Sequence, residues 1–425
     1  MKHIEALCEE FKAGLHHDVL AGLYGVETSA AAPMARRYLR LLEEFRANFR
    51  DDEVGVFSVS GRTEIGGNHT DHQLGNVIAA AVSLDAVAVA AKTGDNVVTI
   101  CQQGYDTLRV DLNDLAPKAE EINTTHALIR GISKGFQDRG YGFCGFNAVL
   151  TNDVSSGSGL SSSAVIEVLI GTIFSHFANG GTVGDQEVAK IAQFSENVYF
   201  GKPCGLMDQM ACAVGGLIHI DFSGETKVEK LGELLSFFPY DICITNSRSS
   251  HADLSDEYAA IPAEMKAVAR ALGKEVLSEV DEQALYAKIP ELRRALGDRA
   301  VLRALHFVCE NKRVYEQFDA LRARNVDAFL ALVKASGDSS FKYLQNVYTN
   351  RDVNSQALSV ALAMSEIILG GKGASRVHGG GFAGTIQAFV PREETERYRT
   401  EMDRLFGEGA CQVLRIREAG GIQVF

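Results

Sequence analysis

The chain is 425 residues long, 46% hydrophobic and 23% charged, which fits a folded chain of two or three domains and not a disordered one. A formal net charge of −13 argues against non-specific nucleic-acid binding, which rests on basic surface. No apolar run is long enough to span a bilayer, and the start at Met1 has no signal-peptide character, so a cytoplasmic protein without a membrane partner is expected. The eight cysteines lack paired spacing and read as reduced thiols.

In chain order, Ala35–Phe49 carries leucines and aromatics at helical spacing between charges and predicts a packing helix. Glu53–Ser60 predicts a strand running into Gly61-Arg62-Thr63-Glu64-Ile65-Gly66-Gly67-Asn68-His69-Thr70-Asp71-His72. That mix of glycine, charge and imidazole suits a loop converging on a ligand. Val77–Ala91 is almost wholly apolar and rich in valine, and a break at Ser83–Asp85 predicts two strands. Further strands are expected at Asn96–Cys101 and Thr107–Leu112, then a helix over Asn123–Gly140.

Phe143–Leu150 predicts a strand and Leu160–Phe177 a helix. Between them, in Asn152–Glu167 (NDVSSGSGLSSSAVIE), Gly157 and Gly159 remove side chains that would block a close approach. First-turn amides and the helix dipole favour an anion there. Ser161, Ser162 and Ser163 add hydroxyls for phosphate oxygens or magnesium. The loop lacks the Gly-Lys-Ser/Thr of a Walker A motif and the third glycine of a dinucleotide fingerprint; by itself it serves equally as a serine-rich helix start.

A helix over Gly184–Phe200 carries Ser195-Glu196-Asn197 in its last turn and leads into Gly201-Lys202-Pro203-Cys204-Gly205-Leu206-Met207-Asp208-Gln209. Strands at Gly215–Phe222 and Asp241–Asn246 precede a mostly helical stretch, Asp253–Leu369, with a break at Gly337-Asp338. Arg376–Gly384 (RVHGGGFAG) then leads into a strand over Thr385–Val390; its glycines supply positive φ and close approach, or make a plain hairpin turn. The composition change between Gly224 and Leu234 marks the expected domain junction.

Arg62–Asp71, Gly157–Ala164 and His378–Gly384 stand in the order and at roughly the separations of the three motifs of the GHMP small-molecule kinases. More narrowly, the chain resembles the galactokinases among them. Gly61-Arg62 with Gly67, His69, Thr70 and Asp71 looks like their signature loop, Pro203–Gln209 is similar to their catalytic segment, and Asn246–Tyr258 resembles a segment after their domain junction. The resemblance implies a two-domain α+β fold, with an N-terminal ribosomal-protein-S5-like domain at 1–226, a C-terminal ferredoxin-like α/β domain at 227–425 and the active site in the cleft between them. It implies transfer of the γ-phosphate of ATP to the anomeric hydroxyl of α-D-galactose.

By the same resemblance, Asp208 and Arg62 are catalytic, and Asn68, His69, Asp71, Gly205 and Tyr258 surround the sugar. Gly157, Ser158, Gly159, Leu160, Ser161, Ser162 and Ser163, with Gly380 and Gly381, surround the ATP phosphates; Ser162 and Glu196 hold Mg2+. Taken without it, Asp208 reads as a helix N-cap, Arg62 as a surface ion pair and Glu196 as part of a solvated helix face. A carboxylate beside a guanidinium should have a lowered pKa, which makes Asp208 a weak base that stays ionised.

Four features depart from the galactokinase pattern. Asn68 stands where those kinases usually carry a glutamate that meets the sugar's 6-hydroxyl, and His72 stands where a tyrosine is frequent. Their Asn-Leu-Ile is Glu64-Ile65-Gly66 here, and there is no tryptophan, so the adenine pocket has no marker. An amide at 68 suits a hydroxyl but also tolerates a 6-carboxylate. Galacturonate and N-acetylgalactosamine are therefore rival substrates, and a non-catalytic sugar-sensing regulator is the reading from another class. The sequence does not set the oligomeric state; a monomer is the expectation.

Overall fold

The computed structural model describes residues 1–154, 159–202, 204–232, 237–249, 254–382 and 384–425. A strand whose two faces are both apolar needs cover on both sides, and the long central strands meet that condition. Among the described residues, the first sheet holds β1 (Lys2–His3), β2 (Glu53–Gly66), β3 (Asn76–Lys92), β4 (Val97–Gln102), β5 (Leu108–Asp111), β6 (Phe146–Asn152), β7 (Leu217–Asp221) and β8 (Lys227–Leu231). Its main path runs β1-β2-β3-β6-β4-β5, with β7 on β3 and β8 on β7.

On one face Val54, Val56, Val87, Val89 and Val149 pack beneath α1 (Ile4–Lys12), α2 (His17–Tyr24) and α3 (Ala32–Asn48). On the other, Phe57, Val59, Ala86, Ala88 and Ala90 pack with residues of α4 (Thr125–Asp138), α5 (Ser162–Asn179), α6 (Asp185–Phe194) and α7 (Met207–Val214). The alternation along β2 and β3 sends successive residues to opposite covers. That is why Val77–Ala91 reads as an unbroken apolar run.

The expected pair of strands there is one strand, β3, which meets β7 over Asn76–Ala80 and β6 over Ala86–Lys92. The polar break is a bulge: the register with β2 shifts between Ser60 and Arg62. Asp85 at this point is wholly buried and takes Arg37 Nη1 at 2.5 Å, Arg417 Nη1 at 3.0 Å and Tyr24 Oη at 2.7 Å. Removing either arginine would leave a buried charge short of a partner, at a cost of about 3–5 kcal/mol.

β9 (Tyr240–Asn246) starts the second sheet, completed by β10 (Ala374–His378), β11 (Thr385–Pro391) and β12 (Cys411–Leu414) in the order β10-β11-β9-β12. The chain then returns, and β13 (Ile422–Gln423) pairs with β2. The expected boundary at 226/227 falls inside the β7–β8 hairpin, so the crossover between sheets lies between Leu231 and Tyr240. The last residues also belong to the first sheet, a long-range pairing with no local sequence signal.

The helical half comprises α8 (Ser255–Ala271), α9 (Glu282–Leu296), α10 (Asp298–Arg322), α11 (Val326–Ser339) and α12 (Ala357–Leu369), with α13 (Thr395–Phe406) following β11. The expected break at Gly337-Asp338 is absent, since α11 runs through both. Gly337 serves close packing instead: a Cβ there would stand 3.1 Å from the Ser375 carbonyl on β10. Among the described residues no helix is long and apolar enough to cross a membrane.

Candidate active site

β2 does not end where the polar stretch begins. It continues through Gly61–Gly66, so Arg62 and Glu64 are strand residues two apart on one face, and only Gly67–Thr70 forms the turn. Arg62 is 8% exposed, not a surface ion pair. Its Nε and Nη2 donate to Asp208 Oδ1 and Oδ2 at 2.7 and 2.8 Å, a bidentate pair, and its Nη1 donates to the Gly159 carbonyl. Asp208 lies in the first turn of α7, two residues after the N-cap Leu206, and its carboxylate oxygens are taken by Arg62 and Ser161. Burial alone would raise its carboxyl; the Arg62 charge, the hydrogen bonds from Arg62 and Ser161 and the Lys202 charge outweigh burial and hold it below the ordinary aspartate value.

The serine loop reaches the same point. Gly159 has φ +73°, and a Cβ there would stand 3.1 Å from His378 Nδ1, so glycine is required both for conformation and for space. Leu160 is buried. Ser161, also left-handed at φ 61°, turns its hydroxyl onto Asp208 Oδ2, and α5 begins behind it with no side-chain cap. Ser162 opens the helix; Ser163 Oγ donates to Glu196 Oε1 at 3.2 Å. Gly157 and Ser158 lie outside the described residues.

Glu196 is 2% exposed, so it is no solvated helix face. It sits in a π-helical turn, Ser195–Phe200, where Lys202 Nζ reaches Oε1 at 3.2 Å and Gln209 Nε2 reaches Oε2 at 2.8 Å. Gln209 Nε2 also donates to Glu167 Oε2 at 3.0 Å. Glu167 is wholly buried with Oε1 unpartnered; burial first, then the Glu196 charge, push its carboxyl well above the ordinary range.

The turn after β2 is held from behind by α10 and α11. Gly67 N donates to Glu310 Oε1 at 3.3 Å, Ser336 Oγ donates to the same oxygen at 2.5 Å, and His306 Nε2 donates to the Asn68 carbonyl at 2.9 Å. His69 adopts φ 63°, an uncommon conformation outside glycine. Its Nε2 meets the Gly380 carbonyl at 3.2 Å while Nδ1 is buried without a partner among the described residues. Burial, with the His72 charge, keeps its pKa well below the usual imidazole value. Nε2 is then the donor and Nδ1 a bare acceptor, suited to a ligand hydroxyl.

Asp71 opens a short 3-10 turn, and a Cβ on Gly205 would stand 2.6 Å from its Oδ2. Tyr258 covers the other side: its ring lies 5.4 Å from the His69 ring, its hydroxyl 3.4 Å from His72 Nε2, and a Cβ on Gly380 would stand 2.5 Å from it. Gly379, Gly380 and Gly381 follow β10 in the hairpin with β11 and also cover this site. Gly381 abuts the Asn346 carbonyl, with Phe382 N donating to that oxygen at 2.5 Å. Gly380 thus meets the sugar loop through His69, while Gly381 packs on Asn346.

Beneath the hairpin, His378 Nδ1 meets Thr385 Oγ1 and its Nε2 meets Thr63 Oγ1, both at 3.0 Å. Burial and the Arg62 and Arg376 charges push its pKa down to about 3. A neutral imidazole thus ties the second sheet to β2 directly under the Arg62–Asp208 pair.

Known proteins match this chain in sequence and in fold. Residues 126–216 match the model of the GHMP kinases N terminal domain, and residues 43–92 match the galactokinase galactose-binding signature. Galactokinase of Mannheimia succiniciproducens is 30% identical over 82% of this chain and 88% of its own length. The chain belongs to the galactokinase family of GHMP kinases. The galactokinase of Glaesserella parasuis is 29% identical over 84% of the chain and 90% of its own. In fold, the chain matches the crystal structure of Lactococcus lactis galactokinase complexed with galactose (TM-score 0.76, 24% identity, 90% and 98% covered). A mevalonate kinase matches more loosely (TM-score 0.57, 17% identity, 85% and 99% covered).

Within this galactokinase-family frame the structure joins Arg62 to Asp208 and Gly159, Ser161 to Asp208 and Ser163 to Glu196, and sets Asp71 against Gly205 and His69 against Tyr258. Ser163, the residue after the helix-opening Ser162, donates its hydroxyl to Glu196. The structure corrects one expectation. Asn68 faces away from the sugar loop's open side: Nδ2 donates to the Gly379 carbonyl at 2.9 Å and Glu64 Oε1 at 3.3 Å, while Oδ1 accepts from Ser340 Oγ at 3.2 Å and Asn346 Nδ2 at 2.9 Å. All four of its hydrogen-bonding positions are in use. Glu64, Glu167, Lys202, His378 and Arg376 carried no assigned role in the sequence, although Glu64, Lys202, Arg376 and His378 lie in stretches that it singled out.

Proposed function

We propose that this protein is an ATP-dependent galactokinase, making α-D-galactose 1-phosphate and ADP. The observation that carries the reading is the Arg62–Asp208 pair at the mouth of the serine loop, with Asp71, Gly205, His69 and Tyr258 grouped beside it. Phosphoryl transfer asks for the phosphates to be held and the acceptor hydroxyl to be aimed in line, with little covalent work by the protein. Asp208, held ionised, accepts a hydrogen bond from the anomeric hydroxyl and takes its proton as the oxygen bonds to the γ-phosphorus and ADP departs. Its low basicity makes aiming its larger contribution.

Arg62 fixes the Asp208 carboxylate in the plane of its own guanidinium and sets the Gly159 carbonyl. The first turn of α5 offers amides and Ser162 and Ser163 hydroxyls to the phosphates. Glu196 with the adjacent serine hydroxyls is a hard-oxygen donor set 3.2 Å apart, which fits Mg2+, a cation that takes one or two carboxylates and leaves its remaining sites to phosphate and water. When bound, the metal supplies charge neutralisation to the transferring phosphate. Asp71, beside Gly205, accepts ring hydroxyls, and an epimer that misplaces one leaves that carboxylate unpaired.

ADP release with Mg-ATP, measured across galactose, N-acetylgalactosamine, galacturonate, glucose and no sugar, tests the reading. Galactose is expected to give the highest kcat/KM. A higher value for another sugar overturns the substrate assignment, and no stimulation by any sugar overturns the kinase reading.

A further inference from the structure

We propose that Glu64 is the specificity-determining residue for the far end of the sugar, accepting a hydroxyl at C6 through Oε2 and rejecting sugars that carry a carboxylate there. The inference rests on the sugar-kinase reading above and deepens it.

Glu64 shares the strand face of Arg62. Two residues along a strand is about 6.7 Å, which places the Glu64 carboxylate on the far side of a hexose whose anomeric hydroxyl lies at Asp208. The residue is 5% exposed, and its position is fixed. Arg376, itself 1% exposed, donates Nη2 to Glu64 Oε1, Nη1 to the Ile65 carbonyl at 2.9 Å and Nε to the Val377 carbonyl at 3.2 Å. Asn68 Nδ2 adds a second hydrogen bond to Oε1 at 3.3 Å. Oε2 takes no hydrogen bond from any described residue. A nine-tenths buried carboxylate with one oxygen engaged twice and the other bare is an acceptor awaiting a donor.

The neighbouring residue cannot serve. Asn68 has both amide hydrogens and both carbonyl positions committed to Gly379, Glu64, Ser340 and Asn346. A carboxylate that can only accept demands a hydroxyl, and it repels a second carboxylate. The nearby cations do not relieve that repulsion. Arg62 is spent on Asp208 and Arg376 on its three acceptors, and Arg303 is 0% exposed, with Nε on the Leu344 carbonyl, Nη1 on Glu264 and Nη2 enclosed.

The test compares kcat/KM for galactose, 6-deoxygalactose and galacturonate in the wild type and in Glu64→Gln, with melting temperature as a folding control. In the wild type, galacturonate is expected to fall about 100-fold or more below galactose and 6-deoxygalactose about 10-fold or more. In Glu64→Gln the 6-deoxygalactose penalty should shrink to within about threefold and galacturonate should gain at least about tenfold relative to galactose, with KM for ATP unchanged. Unaltered ratios in a folded Glu64→Gln protein overturn the proposal. So does a wild type that uses 6-deoxygalactose or galacturonate within about threefold of galactose, a result that needs no variant. A wild type that phosphorylates none of the three refutes the galactose reading on which the proposal rests.

Discussion

Replacing Arg62 by alanine removes three hydrogen bonds at once: two to Asp208, at 2.7 and 2.8 Å, and one to the Gly159 carbonyl. Breaking a buried ion pair by deleting one partner costs about 3–5 kcal/mol. The Asp208 side chain keeps 32% of its exposure, so water recovers part of that loss, and about 2–3 kcal/mol of lost orientation is the fair figure. At 1.36 kcal/mol per decade this is a fall in kcat of about 30- to 150-fold. Arg62→Lys keeps the charge but not the fork and should fall between, about tenfold. With the guanidinium gone, burial acts unopposed by it and the Asp208 pKa rises, so the acid limb of the kcat–pH profile moves to higher pH. The assay is coupled ADP release from pH 4 to 8, with circular dichroism as a folding check. A kcat within about threefold of wild type in Arg62→Ala, with the acid limb unmoved, refutes the reasoning.

Gly205→Ala places a methyl 2.6 Å from Asp71 Oδ2; displacing that carboxylate should raise KM for sugar about 10- to 100-fold while KM for ATP stays put, as initial-rate kinetics would show. Glu167 binds a proton more tightly folded than unfolded, so its contribution opposes folding above the ordinary glutamate pKa, and Glu167→Gln should raise the melting temperature at pH 8 more than at pH 5. His378 has a folded pKa of about 3 against an ordinary 6.5; the unfolded chain therefore takes up the proton first, and stability is lost as pH falls from 6.5 toward 3. Urea midpoints across that range should fall less steeply in His378→Gln, and equal slopes would show that the imidazole is not held neutral.

Local rules carry far in this chain. The strand at Glu53, the α5 helix and the glycine hairpin were legible, because strand alternation, helix periodicity and positive-φ glycine act over a few residues, whereas local rules alone made Asp208 a helix cap and Glu196 a solvated face. The order of three glycine-rich motifs was enough to mark the family. What the sequence left open depends on neighbours hundreds of positions away. That the polar stretch from Gly61 is still a strand follows from its pairing with β3. That β13 closes onto β2 follows from a return of the chain that no local preference encodes. Asn68 and Glu64 show the division most clearly: their residue types suggest opposite roles, and only the hydrogen bonds with Gly379, Ser340, Asn346 and Arg376 decide which one is saturated and which keeps an oxygen unbonded among the described residues. Valence is a property of the assembled site, since a donor or acceptor is spent only by the partner that the tertiary fold brings to it.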